Sequence, residues 1–225
     1  MHNVFLLLIG FFLFLSGLFK EKIDKISTYK IVLFAILLVG LSLLSKTHDD
    51  FGWYHLPYTL NISENKFQFG LGHFNHGFRT PSSLFYLNSL FYLPVIKFYS
   101  FNFAQLYIFL FILIYFYKKI FNNNGKKNFT FFYSILAFIF VSVVFYRLAE
   151  HGTDRSGQIV IFILIILILD ILQEKLIDVN KINILIILLI YTITLKTYFI
   201  FFALLLLPII FKIKTDYKLY KKIIF

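Results

Sequence analysis

The chain has 225 residues, 60% of them hydrophobic and 15% charged, with a formal net charge of +11 and no cysteine. Soluble globular chains run at roughly 45–50% apolar and about 25% charged, so the composition excludes a soluble fold, a disordered chain and a collagen-like one. Without cysteine there is no disulfide, no thiolate nucleophile and no zinc–thiolate centre.

A mean hydropathy of +0.81 points to a polytopic membrane protein. Lysine outnumbers arginine 19 to 3. In a membrane chain, such a positive balance reads as lysines retained on the cytoplasmic face rather than as a nucleic-acid surface.

A helical crossing needs about 20 residues, with about 17 as the lower limit. Asn3–Phe19 meets it and lacks the basic start and small-residue cleavage pattern of a signal peptide, so it reads as a retained helix. Tyr29–Ser45, Phe101–Tyr117 and Phe129–Tyr146 follow, then Ile159–Leu172 with its flanks. Ile182–Leu195 and Tyr198–Ile213 are two short apolar stretches joined by Lys196-Thr197. The fold expected is an all-α transmembrane bundle of about seven hydrophobic segments. It forms one domain over residues 1–225, with a long outer loop over 46–100 and a basic cytoplasmic tail over 212–225.

Charge sets the orientation. Lys20, Lys22, Lys25 and Lys30 flank the first connection, and Lys118, Lys119, Lys126 and Lys127 flank the connection after the third span. Lys175 and Lys181 follow the fifth, and Lys212, Lys214, Lys218, Lys221 and Lys222 end the chain. Placing these 15 inside leaves 7 cations outside, as the positive-inside rule prefers. Leu84–Tyr99 is apolar, but a crossing there would invert every later loop, so it reads as an interfacial or re-entrant helix near Pro94. A hairpin of the last two stretches returns the basic tail to the cytoplasm. Each half would be short, roughly 21–24 Å.

The outer side collects the polar chemistry. The long loop carries His48, Asp49, Asp50, His55, Glu64, His73, His76, Arg79 and the single tryptophan, Trp53. The next outer loop carries Arg147, Glu150, His151, Asp154 and Arg155. All three arginines and every histidine except His2 fall in these two loops. Guanidinium forks suit carboxylates and phosphates.

The run from Thr47 to Pro57, with its Asp49-Asp50 pair and Tyr54-His55, resembles the first outer loop of GT-C glycosyltransferases. Those are polytopic enzymes that take a sugar from a polyprenyl-phosphate carrier. The segment from Gly70 to Ser83, with Gly-Leu-Gly, Asn75, Gly77, Arg79 and a serine-rich helix start, is similar to a bacterial subgroup of them. The resemblance covers roughly Ser45–Pro94; elsewhere it is a hydropathy pattern. An extra helix precedes the one that leads into the loop, and about seven segments are fewer than is usual, as in a fragment or a pared-down member.

The resemblance implies a bacterial inner-membrane enzyme whose long loop faces the periplasm or exterior. The lipid bilayer and a polyprenyl-phosphate sugar are its partners, with a glycan, lipid or protein as acceptor and no nucleic acid. Such a transfer inverts the anomeric centre and needs a base for the acceptor proton and positive charge at the departing phosphate. The base falls to Asp50, with Asp49 as the alternative. Arg79, Arg147, Arg155 and Lys196 are the candidates for phosphate, and His55, Tyr54, His73 and His76 for substrate contacts. Some members use a divalent metal and others do not; here its ligands would come from His48, Asp50, His55, His73 and His76. The rival expectations are an O-antigen-type polymerase or ligase, a transporter, and a non-catalytic or truncated membrane subunit.

Overall fold

A computed structural model describes residues 2–20, 25–44, 47–66, 68–93, 95–121, 128–174, 176 and 178–215. Lys22, Lys46, Pro94, Lys126, Lys127, Lys175 and the tail beyond Thr215 lie outside that set. Nine α-helices appear among the described residues: α1 (His2–Lys20), α2 (Lys25–Leu44), α3 (His55–Glu64), α4 (Ser83–Leu90), α5 (Phe103–Phe121), α6 (Phe129–Val144), α7 (Thr153–Gln173), α8 (Val179–Leu195) and α9 (Leu207–Thr215). No strand is present among them.

Three helical stretches are long and apolar enough to cross a membrane: Phe103–Phe121, Thr153–Gln173 and Thr197–Lys214. The apolar runs Val4–Gly17, Val32–Leu43, Phe129–Val144 and Val179–Leu195 are shorter. The expectation of about seven segments thus resolves into three helices of spanning length and four shorter ones.

The chain forms two compact units. The first comprises Met1–Leu110 and Arg147–Gly152. Here α3 packs on α4, α1 touches α4, and α2 touches the short turn Leu148–Glu150. Local sequence fixes the elements. His48 Nδ1 accepts the Asp50 N–H at 3.0 Å and caps the turn Asp49–Phe51. Pro57 sits in the first turn of α3, where a missing N–H costs nothing. Ser82 Oγ accepts the Leu84 N–H at 3.2 Å and starts α4. Only eight residues long, α4 rises about 12 Å and cannot cross a bilayer. The chain beyond it turns through Leu93–Lys97 rather than continuing as one interfacial helix. Phe85, Phe101 and Leu84 are almost fully buried and form the centre of this unit.

The second unit comprises Phe111–Tyr146 and Thr153–Phe225. Its core is α7, whose residues Ile159, Ile163, Leu164, Ile166 and Ile171 are buried. Polar groups mark both ends of α7. At its start, Asp154 lies 2.9 Å from Lys196 Nζ and accepts the Tyr198 hydroxyl at 3.2 Å. Near its end, Asp170 pairs with Lys119, and Glu174, just beyond it, pairs with Lys181. Lys212 Nζ donates to the carbonyls of Ile171 (2.6 Å) and Leu172 (3.0 Å), where a cation suits the negative pole of the helix. Asp154 and Asp170 are about 24 Å apart along the axis.

The chain therefore rises along α8, reverses at Lys196, and returns to bring Lys212 to the end of α7. The expected hairpin is present in this geometry. Its second arm is longer than expected, because a 3₁₀ run over Thr197–Leu206 continues into α9. Such a run gains about 2.0 Å per residue instead of 1.5. Gly157 makes room for it: a Cβ there would lie 2.1 Å from Phe199 Cε2.

Candidate functional site

The polar centre of the first unit is built where the long loop meets the 147–152 turn. Once His48 has capped Asp49–Phe51, the next turn carries Tyr54 and His55 back toward it. The Tyr54 hydroxyl donates to Asp50 Oδ2 at 3.3 Å. The His48 and His55 rings stack at 5.2 Å. Tyr54 meets His55 edge-on at 4.4 Å. His55 is buried, while Asp50 keeps about half of its side chain exposed, at 49%. Two glycines allow this approach. A Cβ on Gly77 would lie 2.4 Å from Tyr54 Cγ, and one on Gly152 would lie 3.1 Å from His55 Cε1.

His48, Asp50 and His55 place one ligand-type atom each within 4.8 Å of one another. Three such donors are enough to begin a divalent site. The hydrogen bond at His48 counts against one. A ring nitrogen that accepts an amide N–H carries no proton, so Nε2 of the neutral ring carries it. A metal on Nδ1 would displace the Asp50 amide, and one on Nε2 would require an imidazolate. The set fits a hydrogen-bonding cluster without rearrangement and fits a metal only after the Asp50 amide has moved. The same logic makes Asp50 Oδ2, 3.8 Å from His48 Nδ1, a close neighbour rather than an ion-pair partner.

Beside the cluster lies a tight cavity of about 10 Å³, lined among others by His48, His55, Asn88, Gln105 and His151. That is room for one water-sized group. Gln105 Nε2 donates to the His151 carbonyl at 3.3 Å, which holds the 147–152 turn against the start of α5. Asn88 Oδ1 and Gln105 Oε1 are buried and accept no hydrogen bond from the described residues. Two carbonyl acceptors beside imidazoles present a surface suited to a hydroxyl.

The remaining sequence candidates are dispersed. Asp49 is exposed beside Asp50. His73 and His76 are exposed and join no ligand cluster among the described residues. The five-residue metal set reduces to three, because the loop turns between His55 and His73. Arg79 donates from Nε to the Gly72 carbonyl at 3.0 Å and borders a separate, larger cleft. Arg147 pairs with Glu150 at 2.7 Å. Arg155 and Lys196 belong to the second unit, where Asp154 engages Lys196.

Sequence reasoning did not nominate Asn88, Gln105, His151 or Gly152. Gln105 carried a usable signal, a polar side chain at the start of an apolar span. His151 stood in the second polar loop, but nothing in the spacing showed that this loop folds onto the first.

The family described as "Domain of unknown function (DUF8201)" matches residues 2–225. The chain belongs to this family. No curated protein and no solved structure matches it. Membership covers both polar loops and both compact units, so the Asp50 cluster and the Lys196 hairpin fall within one family unit.

Proposed function

We propose that this chain is a GT-C-like membrane glycosyltransferase that moves a sugar from a polyprenyl-phosphate donor to a glycan, lipid or protein acceptor. The observation that carries the reading is the Asp50 carboxylate, half exposed, flanked by His48 and held by the Tyr54 hydroxyl. A base for an acceptor hydroxyl must be reachable and oriented. Asp50 is both, so Asp50 is the base in this proposal, with Asp49 as the alternative.

In the reaction, the acceptor oxygen attacks the anomeric carbon as the bond from that carbon to the phosphate oxygen breaks. The phosphate leaves with the electron pair, and the acceptor proton passes to Asp50. Attack from the face opposite the phosphate inverts the centre. Arg147, a cation of the turn that meets the long loop, stabilises the developing anion. The chain lies in a bacterial inner membrane with its long loop facing the periplasm or exterior. In the second unit, Lys119, Lys181 and Lys212 meet near the C-terminal end of α7, which the positive-inside rule assigns to the cytoplasm.

The test is the surface-glycan mass profile of a deletion strain complemented at matched membrane levels. Wild type is expected to restore a sugar-sized mass step, and Asp50→Asn is expected not to. If both restore it, Asp50 is not the base, and Asp49 as base or an O-antigen-type polymerase or ligase replaces this reading. If neither does, the chain is a non-catalytic subunit.

A further inference from the structure

On the flank of α3 beside the His55 face lies a second cleft, of about 600 Å³. Small-molecule sites typically occupy roughly 300–1,000 Å³. Residues 55 and 59 of α3 line the tight cavity, whereas 58, 61 and 62 of the same helix, with Asn65 just beyond it, line this one, so a single helix serves two separate spaces.

The lining is specific in kind. Lys66 and Arg79 supply two cations, and no carboxylate lines the cleft among the described residues. The acid closest in sequence, Glu64, accepts the Tyr92 hydroxyl at 2.5 Å instead. Arg79 is braced through Nε by the Gly72 carbonyl, which leaves its two terminal nitrogens as a fork of donors. Asn61, Asn65 and Gln68 add amides that both donate and accept. Phe69, 90% exposed, and Phe78 add flat apolar faces. Burial and the hydrogen bond with Tyr86 push the Tyr58 phenol up to about 12, so it borders the cleft as a neutral hydroxyl.

Cations call for an oxyanion. Amides with aromatic faces call for a polyhydroxylated ring, whose hydroxyls need paired donors and acceptors and whose C–H faces stack on aromatic carbon. We propose that this cleft binds a saccharide bearing an oxyanion, whether as a sugar phosphate or as a uronic acid. The assignment goes beyond the transferase reading and does not depend on it, because binding is measured without turnover.

The chain has one tryptophan, Trp53, outside the cleft. The double variant Trp53→Phe/Phe69→Trp, purified full length in detergent, therefore reports from the cleft alone. Glucose 1-phosphate is expected to change its fluorescence saturably. Arg79→Gln and Lys66→Gln, each in that background, are expected to weaken binding about tenfold, the worth of one charge-assisted hydrogen bond. Lys66 is exposed, so its replacement leaves the fold intact. Undecaprenyl-phosphate-linked glucose in phosphatidylcholine vesicles and a glucuronic-acid disaccharide distinguish the sources. Whichever displaces glucose 1-phosphate at lower concentration is the form recognised, and either result supports the proposal. It is overturned if no probe gives a saturable change, if glucose or inorganic phosphate binds as tightly as glucose 1-phosphate, or if both charge variants bind like the parent.

Discussion

Asp50 and Asp49 are adjacent in sequence and differ in surroundings. Asp50 receives the Tyr54 hydroxyl and lies by His48, whereas Asp49 is exposed. Asp50→Asn is expected to lower transfer at least about a hundredfold, the usual contribution of a positioned base, and Asp49→Asn less than about threefold. Sugar transfer to acceptor in proteoliposomes measures both. Gly152 offers a sharper test of the cluster, because it touches no reacting group. A methyl at 3.1 Å from His55 Cε1, and 3.7 Å from His48 Cδ2, must displace the buried His55 ring from its place beside His48. Gly152→Ala is expected to reduce activity about tenfold, the effect of a misplaced first contact, while the protein still reaches the membrane at wild-type level. Activity equal to wild type would show that the His55–His48 stack does not matter. His48, Asp50 and His55 were legible as candidates because they crowd one short loop. Asn88 was not, since an isolated amide in an apolar segment reads as ordinary until a cavity is seen beside it, and Gln105 showed only as a polar side chain opening an apolar span.

At the level of elements, the most constrained contact is Phe199 against Gly157. Phe199 is 1% exposed, and a Cβ on Gly157 would overlap its ring. Gly157→Ala is expected to destabilise the second unit by about 1–3 kcal/mol, as overpacking does. Adding Phe199→Leu should recover much of that loss, because residues in contact are not additive. Thermal unfolding in detergent reads both. Glycine in a helix normally costs about 1 kcal/mol relative to alanine, so an inverted sign at this position is the signature of the close approach. The helices were readable from apolar runs, but their lengths were not. The last arm is drawn out by its 3₁₀ segment, which no apolar run distinguishes from an α-helix. The apolar stretch Leu84–Tyr99 likewise breaks after Leu90, where Lys97 takes φ +53 and its N–H bonds the Leu93 carbonyl at 2.7 Å.

For the whole molecule, the question is which polar groups share a side of the membrane. In the second unit, Lys196 and Asp154 lie at one end of α7, and Lys119, Lys181 and Lys212 gather near the other. The absence of native cysteine makes single-cysteine labelling clean. Phe74→Cys and Tyr198→Cys, at exposed positions, are expected to react with an impermeant maleimide from outside intact cells. Leu176→Cys, 79% exposed in the native residue, is expected to react only after permeabilisation. Labelling of all three from one side would overturn the orientation.

The amino-acid sequence alone determined that the chain carries long apolar helical runs, three of them long enough to cross a membrane among the described residues, because a run of apolar side chains must satisfy its backbone hydrogen bonds within itself where water is excluded. It also located the polar chemistry in two loops and the lysines in others, since charge is costly inside a bilayer and must be spent at its faces. Only the tertiary structure decided which of those polar residues meet. Asp50, His48 and His55 converge because His48 caps a turn and Gly152 lets the second loop approach, whereas His73 and His76 turn away. The meeting of the two loops depends on contact between residues about a hundred positions apart, Gly152 with His55, and spacing along the chain carries no record of it.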